Sequence, residues 1–140
     1  VTLEPIAFTD QAGYDALLNR CDFNFVRGED SFVRAQWAAK PFLWHIYPQA
    51  ENAHVAKLQA WLSLFEVHVP TMQLRNDVSS FFHAWNGHDA TVVRALWPTL
   101  YAHRCAWQRG CEVWRERLTS QPDLATQLVE FANKLSRGLQ

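Results

Sequence analysis

The run Cys21-Asp22-Phe23-Asn24-Phe25-Val26-Arg27-Gly28-Glu29-Asp30-Ser31 most constrains what this chain can fold into. An apolar strand ends there in a glycine turn and passes straight into a helix opening Phe32-Val33-Arg34-Ala35-Gln36-Trp37. The first N–H groups of such a helix have no partner within it, and its dipole puts partial positive charge at that end. The junction is therefore a ready anion site, to which Arg27 adds a planar, always-charged fork. A second apolar strand follows, Pro41-Phe42-Leu43-Trp44-His45-Ile46, and ends in Tyr47-Pro48-Gln49. Two consecutive strands of this kind bring polar residues to one edge of a parallel sheet, where ligands of open α/β sheets bind.

The chain has 140 residues, 49% hydrophobic and 14% aromatic, enough for one core of ordinary domain size. Lys and Arg number 13 against 14 Asp and Glu, so no broad basic face is expected and nucleic acid is not an expected partner. Charge interrupts the apolar segments well short of the ~20 residues that cross a bilayer, and the opening residues do not read as the basic, apolar and small-residue succession of a leader. No membrane association is expected, and the expected location is the cytoplasm. Cys21, Cys105 and Cys111 are odd in number and lack Cys-x-x-Cys spacing, so buried or half-buried thiols are expected rather than disulfides or zinc. Only His83 and His88 are close among the six histidines, and their spacing puts them on different helix faces. No metal site is expected.

The chain opens inside what reads as a strand, Val1-Thr2-Leu3-Glu4-Pro5-Ile6, as if cut from a larger polypeptide. After the loop Ala7-Phe8-Thr9-Asp10, a helix is expected from Gln11 to Arg20, with Tyr14, Leu17 and Leu18 inward and Asp10 capping it. Three strands alternating with two helices then make βαβ crossovers and a parallel sheet. From Glu51 onward the pattern turns helical. Val55, Leu58, Leu62 and Phe65 recur at helical spacing, as do Val78, Phe81, Phe82 and Trp85, then Val93, Leu96, Leu100 and Trp107. Four helices are expected, with boundaries at Pro70 and Gly87, a kink or split at Pro98, and Pro122 in the first turn of the last. The expected architecture is α/β: half a doubly wound domain, with a small parallel sheet and a helical C-terminal extension.

The run Asp22 to Ala35, continued through Pro41-Phe42, Trp44-His45-Ile46-Tyr47-Pro48-Gln49, Ala53-His54 and Lys57-Leu58, resembles the donor-binding half of the protein-arginine rhamnosyltransferases that modify bacterial elongation factor P. The match is clear from about Phe8 to about Leu58. The resemblance implies a C-terminal Rossmann-like half of a GT-B glycosyltransferase over residues 1–140, holding TDP-β-L-rhamnose, with the N-terminal acceptor domain absent from this chain. It implies inverting, metal-independent transfer of rhamnose to an arginine of elongation factor P, in support of polyproline translation. The acceptor protein would be held mainly by the missing domain, which would also supply the aspartate base. A fragment of this kind is expected to bind donor and turn over nothing.

Residue by residue, the family pattern places an aromatic against the nucleobase, which makes Phe8 the stacking residue; by position alone it is equally a core residue. Gln11 offers an amide to the ribose or a phosphate oxygen, or is simply solvated. Gly28 lets the chain turn tightly and brings amides near the pyrophosphate, while Asp30 and Ser31 stand where either would otherwise serve as a cap. Two carboxylates would repel a bare diphosphate, so Glu29 and Asp30 are expected to bond sugar hydroxyls or backbone groups, or to orient Arg27. Glu29 is the residue most expected to matter for catalysis. Tyr47 closes over the diphosphate or sugar with its hydroxyl, or is a half-buried aromatic with an exposed tip.

His45 reads as a satisfied core histidine and is left out of the site. The later tryptophans read as core and interdomain packing. Arg104, Arg109, Arg115 and Arg117 read as a solvated helix face. A non-enzymatic helical interaction module on an α/β scaffold is the alternative reading. A dinucleotide-binding oxidoreductase half fails, because the chain reads Ala7-Phe8-Thr9-Asp10-Gln11 where Gly-x-Gly-x-x-Gly would stand.

Overall fold

The computed structural model of the chain describes residues 2–138. Helix α1 spans Gln11–Arg20, and the Asp10 carboxylate caps it by accepting from the Gly13 amide at 2.8 Å. A cap of this kind satisfies an amide that the helix itself cannot. Leu18 is the buried residue of α1, with Tyr14 and Leu17 half-buried beside it. Strand β1, Asn24–Val26, pairs in parallel with β2, Phe42–Trp44, in the register Asn24 to Phe42, Phe25 to Leu43 and Val26 to Trp44.

Helix α2, Glu29–Ala38, connects the two strands as a βαβ unit. Buried Asn24 ties α1 to the sheet by donating from Nδ2 to the Leu18 carbonyl at 3.0 Å. Trp44, also buried, donates from Nε1 to the Arg27 carbonyl at 2.8 Å and so fixes the turn between β1 and α2.

Residues 2–10 form no strand, contrary to the sequence expectation, and the sheet has two strands; Val1 lies outside the described residues. The alternation of apolar and polar residues fitted a strand. Nothing pairs with it, however, Pro5 carries no ladder donor, and Leu3 and Ile6 are exposed.

The remainder is helical: α3 Ala53–Phe65, α4 Met72–Asn86, α5 Ala90–Ala102, α6 Arg104–Thr119 and α7 Leu124–Gly138, with 3-10 turns at Ala50–Asn52 and Glu66–His68. Five helices stand where four were expected. Pro98 sits inside α5, and the break falls instead at His103, which caps α5 and precedes α6. Pro122 lies before the cap of α7 rather than in its first turn, because Asp123 accepts from the Thr126 amide at 3.0 Å.

The core is aromatic. Phe42, Phe65, Phe81, Phe82, Trp44 and Trp107 are almost fully buried. Its polar centre is Gln36, whose Oε1 accepts from Trp61 Nε1 at 3.0 Å and Trp114 Nε1 at 2.8 Å, so one α2 amide satisfies an indole on α3 and another on α6. Gly110 lets α6 approach the 3-10 turn closely, since a Cβ there would meet the His68 carbonyl and Val69 Cα at 3.2 Å each.

Helix α7 buries none of Leu124, Leu128, Phe131 or Leu135. The thiols depart from expectation, because Cys21 and Cys105 are exposed and only Cys111 is buried, where desolvation pushes its pKa up. No helix among the described residues is long and apolar enough to cross a membrane.

Candidate functional site

The amino end of α2 stands at the carboxyl edge of the sheet, and its cap residue is Gly28, which has no side chain to offer. Among the described residues, no side chain accepts from the first amides of α2, so they face outward unsatisfied. Neither Asp30 nor Ser31 acts as the cap. Gly28 has φ −66° and ψ 159°, a conformation open to any residue, so the expected tight-turn role does not hold. A Cβ at this position would meet only Ser31 Oγ, at 3.9 Å. What the glycine contributes is open space beside the free amides.

A cavity of about 400 Å³ opens beside this helix end, walled by Phe8, Gln11 and Tyr14 on one side and by Asp30, Ser31 and Arg34 on the other. Four of the residues singled out from sequence, Phe8, Gln11, Asp30 and Ser31, thus meet in one place. Phe8 is fully exposed and rests on no core, so its ring face is free. Arg27 and Tyr47 form a second group on the neighbouring strand ends, with the guanidinium 4.8 Å from the ring centroid.

Both carboxylates of the turn are already matched by cations. Glu29 accepts from Lys57 Nζ at 2.8 Å, and Asp30 accepts from Arg34 Nε at 2.8 Å. Arg34 reaches across to Asp15 on α1 as well, at 2.9 Å and 3.0 Å, and the Asp30 and Asp15 bonds raise its pKa further. Neither carboxylate orients Arg27. Their pairing instead offsets the charge that would repel a diphosphate at this edge.

Asp15, Tyr14, Arg34 and Lys57 were not identified as site residues from sequence. The Asp30 to Arg34 spacing of four on one helix was the available signal, as was the Gln11 to Tyr14 spacing of three. The contacts from Lys57 to Glu29 and from Arg34 to Asp15 join residues distant in sequence and left no local trace.

The loop after β2 is backbone-strained. Glu51 and Asn52 take left-handed φ of 55° and 57°, as does His88 at 59°, and such outliers gather at functional edges. Gln49 donates its amide to His54 Nδ1 at 3.1 Å. Asn86 of α4 holds the strand end, donating to the Trp44 carbonyl and accepting from the Ile46 amide, each at 3.0 Å. His45, read from sequence as a satisfied core residue, is half-buried, and among the described residues its ring has no hydrogen-bond partner. Burial, then Arg27, then His88, lower its pKa. Among the described residues, no three His, Cys, Asp or Glu side chains gather as a metal cluster would require.

A parallel βαβ edge with free helix amides, an exposed aromatic ring and a matched set of charges is an arrangement chemically able to accept an anion, of the kind found in α/β proteins. Residues 1–133 match the family model described as Elongation-Factor P (EF-P) rhamnosyltransferase EarP, and the chain belongs to that family. It is 43% identical over 129 residues to a protein-arginine rhamnosyltransferase of Pseudomonas aeruginosa, covering 92% of this chain and 34% of the relative. A protein-arginine rhamnosyltransferase of Neisseria meningitidis is 40% identical over 136 residues, covering 96% of this chain and 36% of the relative. The chain thus spans about a third of the length of these relatives. A solved structure described as "Structural basis for EarP-mediated arginine glycosylation of translation elongation factor EF-P" superposes with a TM-score of 0.73 at 39% identity, over 91% of this chain and 39% of its own.

Proposed function

We propose that this chain is the donor-holding part of a protein-arginine rhamnosyltransferase. It would be the Rossmann-like C-terminal half of an inverting GT-B enzyme that moves rhamnose from TDP-β-L-rhamnose to an arginine of elongation factor P in the cytoplasm, without a metal. The observation that carries this reading is the convergence of Phe8, Gln11, Asp30 and Ser31 on one cavity beside the uncapped end of α2.

In this reading the thymine ring lies on Phe8, with Gln11 at the ribose. The diphosphate meets the free amides, and Arg27 lies at the neighbouring strand end. As the bond from anomeric carbon to phosphate oxygen breaks, negative charge grows on the departing TDP. Fixed amide dipoles and a guanidinium stabilise that charge more in the transition state than in the ground state, which is what accelerates transfer. Glu29, which accepts from Lys57, would bond a sugar hydroxyl. Acceptor recognition and the base that takes the guanidinium proton belong to the part of the enzyme outside this chain, so the chain alone turns over nothing.

Calorimetric titration tests the reading: TDP-β-L-rhamnose binds the folded chain, UDP-sugars bind worse, and Arg27→Ala weakens the donor. A folded chain that ignores the donor contradicts it. The exposed apolar stripe of α7 favours a second reading, a helical interaction module, which predicts partner binding indifferent to nucleotide and to Glu29.

A further inference from the structure

The two walls of the cavity beside Phe8 belong to separate helices. The Phe8 loop is fastened to α1: the Asp10 carboxylate accepts from the Gly13 amide, and a Cβ at Gly13 would run into the Thr9 side chain, so the loop lies close against the first turn. Gln11, Tyr14, Asp15 and Leu18 follow at spacings of three and four and share one face of that helix. The opposite wall, with Asp30, Ser31 and the open amides, is the start of α2.

Among the described residues, α1 makes side-chain hydrogen bonds to other elements at two places. At its carboxyl end the Leu18 carbonyl accepts from buried Asn24 at 3.0 Å. Nearer its amino end, both Asp15 oxygens accept from Arg34 Nη1, at 2.9 Å and 3.0 Å. The same guanidinium donates from Nε to Asp30, in the first turn of α2, at 2.8 Å. Arg34 therefore bridges a carboxylate on each wall. A lysine would meet one of them as a point charge, whereas a planar fork holds both in fixed directions.

Apolar packing does not make this join by itself. Leu18 is the buried residue of α1, and Tyr14 is only partly covered. A cavity of about 260 Å³ lies between Asp15, Leu18 and Asn19 of α1 and Arg34, Trp37 and Ala38 of α2. Arg34 borders both this cavity and the one beside Phe8. Its side chain is 19% exposed, so the bridge is better shielded than an ion pair in open solvent.

We propose that Arg34 is a positioning residue that sets the width of the donor cavity, holding the wall of Phe8 and Gln11 at a fixed separation from the amino end of α2. The proposal rests on the donor reading above and deepens it. A ligand that engages a ring on one wall and amides on the other binds best when that separation is fixed beforehand, since it need not order α1 itself.

Asp15→Ala tests the bridge, because it cuts the tie on α1, leaves Arg34 paired with Asp30 and puts a strong helix former in the helix. The sign of the effect separates positioning from charge. Removing a negative group beside an anion site should tighten TDP by Coulomb attraction alone. Loss of the bridge should instead weaken TDP by roughly fivefold in calorimetric titration of the whole chain. Asp15→Glu, which keeps a carboxylate for Arg34, should recover most of the parent affinity. Phe8→Ala should cost much less affinity in the Asp15→Ala chain than in the parent, because a ring on an untethered helix already holds the base poorly. Three results overturn the positioning role: an Asp15→Ala chain that binds TDP as tightly as the parent or more so, an Asp15→Glu chain that binds no better than Asp15→Ala, or losses from Phe8→Ala and Asp15→Ala that simply multiply. A folded parent chain that binds no TDP overturns the donor reading itself.

Discussion

The helical half and the sheet edge of this chain are built on opposite principles. In the helical half, aromatic side chains from α3, α4 and α6 interlock with β2, and Gln36 satisfies the indoles of Trp61 and Trp114, while Trp107 Nε1 and His68 Nε2 are buried without a partner among the described residues. At the sheet edge, Phe8, Gln11, Arg27, Glu29, Asp30 and Tyr47 are exposed and the amides of α2 are left open. The difference separates stability from binding: the first region makes the fold, and the second is held by it with little energetic stake of its own.

That separation can be broken most forcefully at Trp107, which is fully buried against Phe23 at a centroid distance of 5.2 Å. Trp107→Ala should cost about 3 to 5 kcal/mol in urea unfolding. Gln36→Leu leaves two buried indole N–H groups without their acceptor and should cost about 2 kcal/mol or more by the same measurement. Gly110→Ala forces α6 off the turn at His68 and should cost about 1 to 3 kcal/mol.

At the edge the pattern reverses. Phe8→Ala should leave the unfolding midpoint unchanged while weakening TDP-β-L-rhamnose by about 1 kcal/mol or somewhat more. A matching loss of stability would mean that the two regions are not separate.

The smallest effect is in pH. His45 and His68 both have pKa values lowered from the ordinary 6.5, first by burial and then by neighbouring positive charge, Arg27 and His88 in one case and Arg117 and Arg75 in the other. Below about that pH the unfolded chain takes up protons that the folded chain resists. Stability should therefore be intact above pH 6.5 and fall as the pH drops below it. Unfolding midpoints of His68→Phe against pH should show a shallower decline.

The sequence made legible those features that are local in the chain. Asp10 as a cap, the βαβ unit around Arg27 and Gly28, and the helical stripes at Leu58 to Phe65 and Val78 to Phe82 all depend on spacings of a few residues. The absent strand at residues 2–10 was illegible, because an alternating pattern does not reveal whether a neighbour exists to pair with it. The break at His103 was hidden by apolar spacing that runs on from Val93 to Trp107, while the more conspicuous Pro98 was accommodated within a helix. At the site, Phe8, Gln11, Asp30 and Ser31 were visible as types in a pattern. The pairings of Glu29 with Lys57 and Arg34 with Asp15 were invisible because only the fold joins them, and His45 was read as a satisfied core residue because its neighbours are apolar, whereas it is half-buried just past the end of β2.

A crystal of the chain soaked with TDP-β-L-rhamnose is the most direct test of the donor edge. Density should place the base on Phe8 and the diphosphate against the amides of Glu29 to Ser31, within reach of Arg27. An ordered donor elsewhere on the chain, with the cavity beside Phe8 and Ser31 empty, would contradict it.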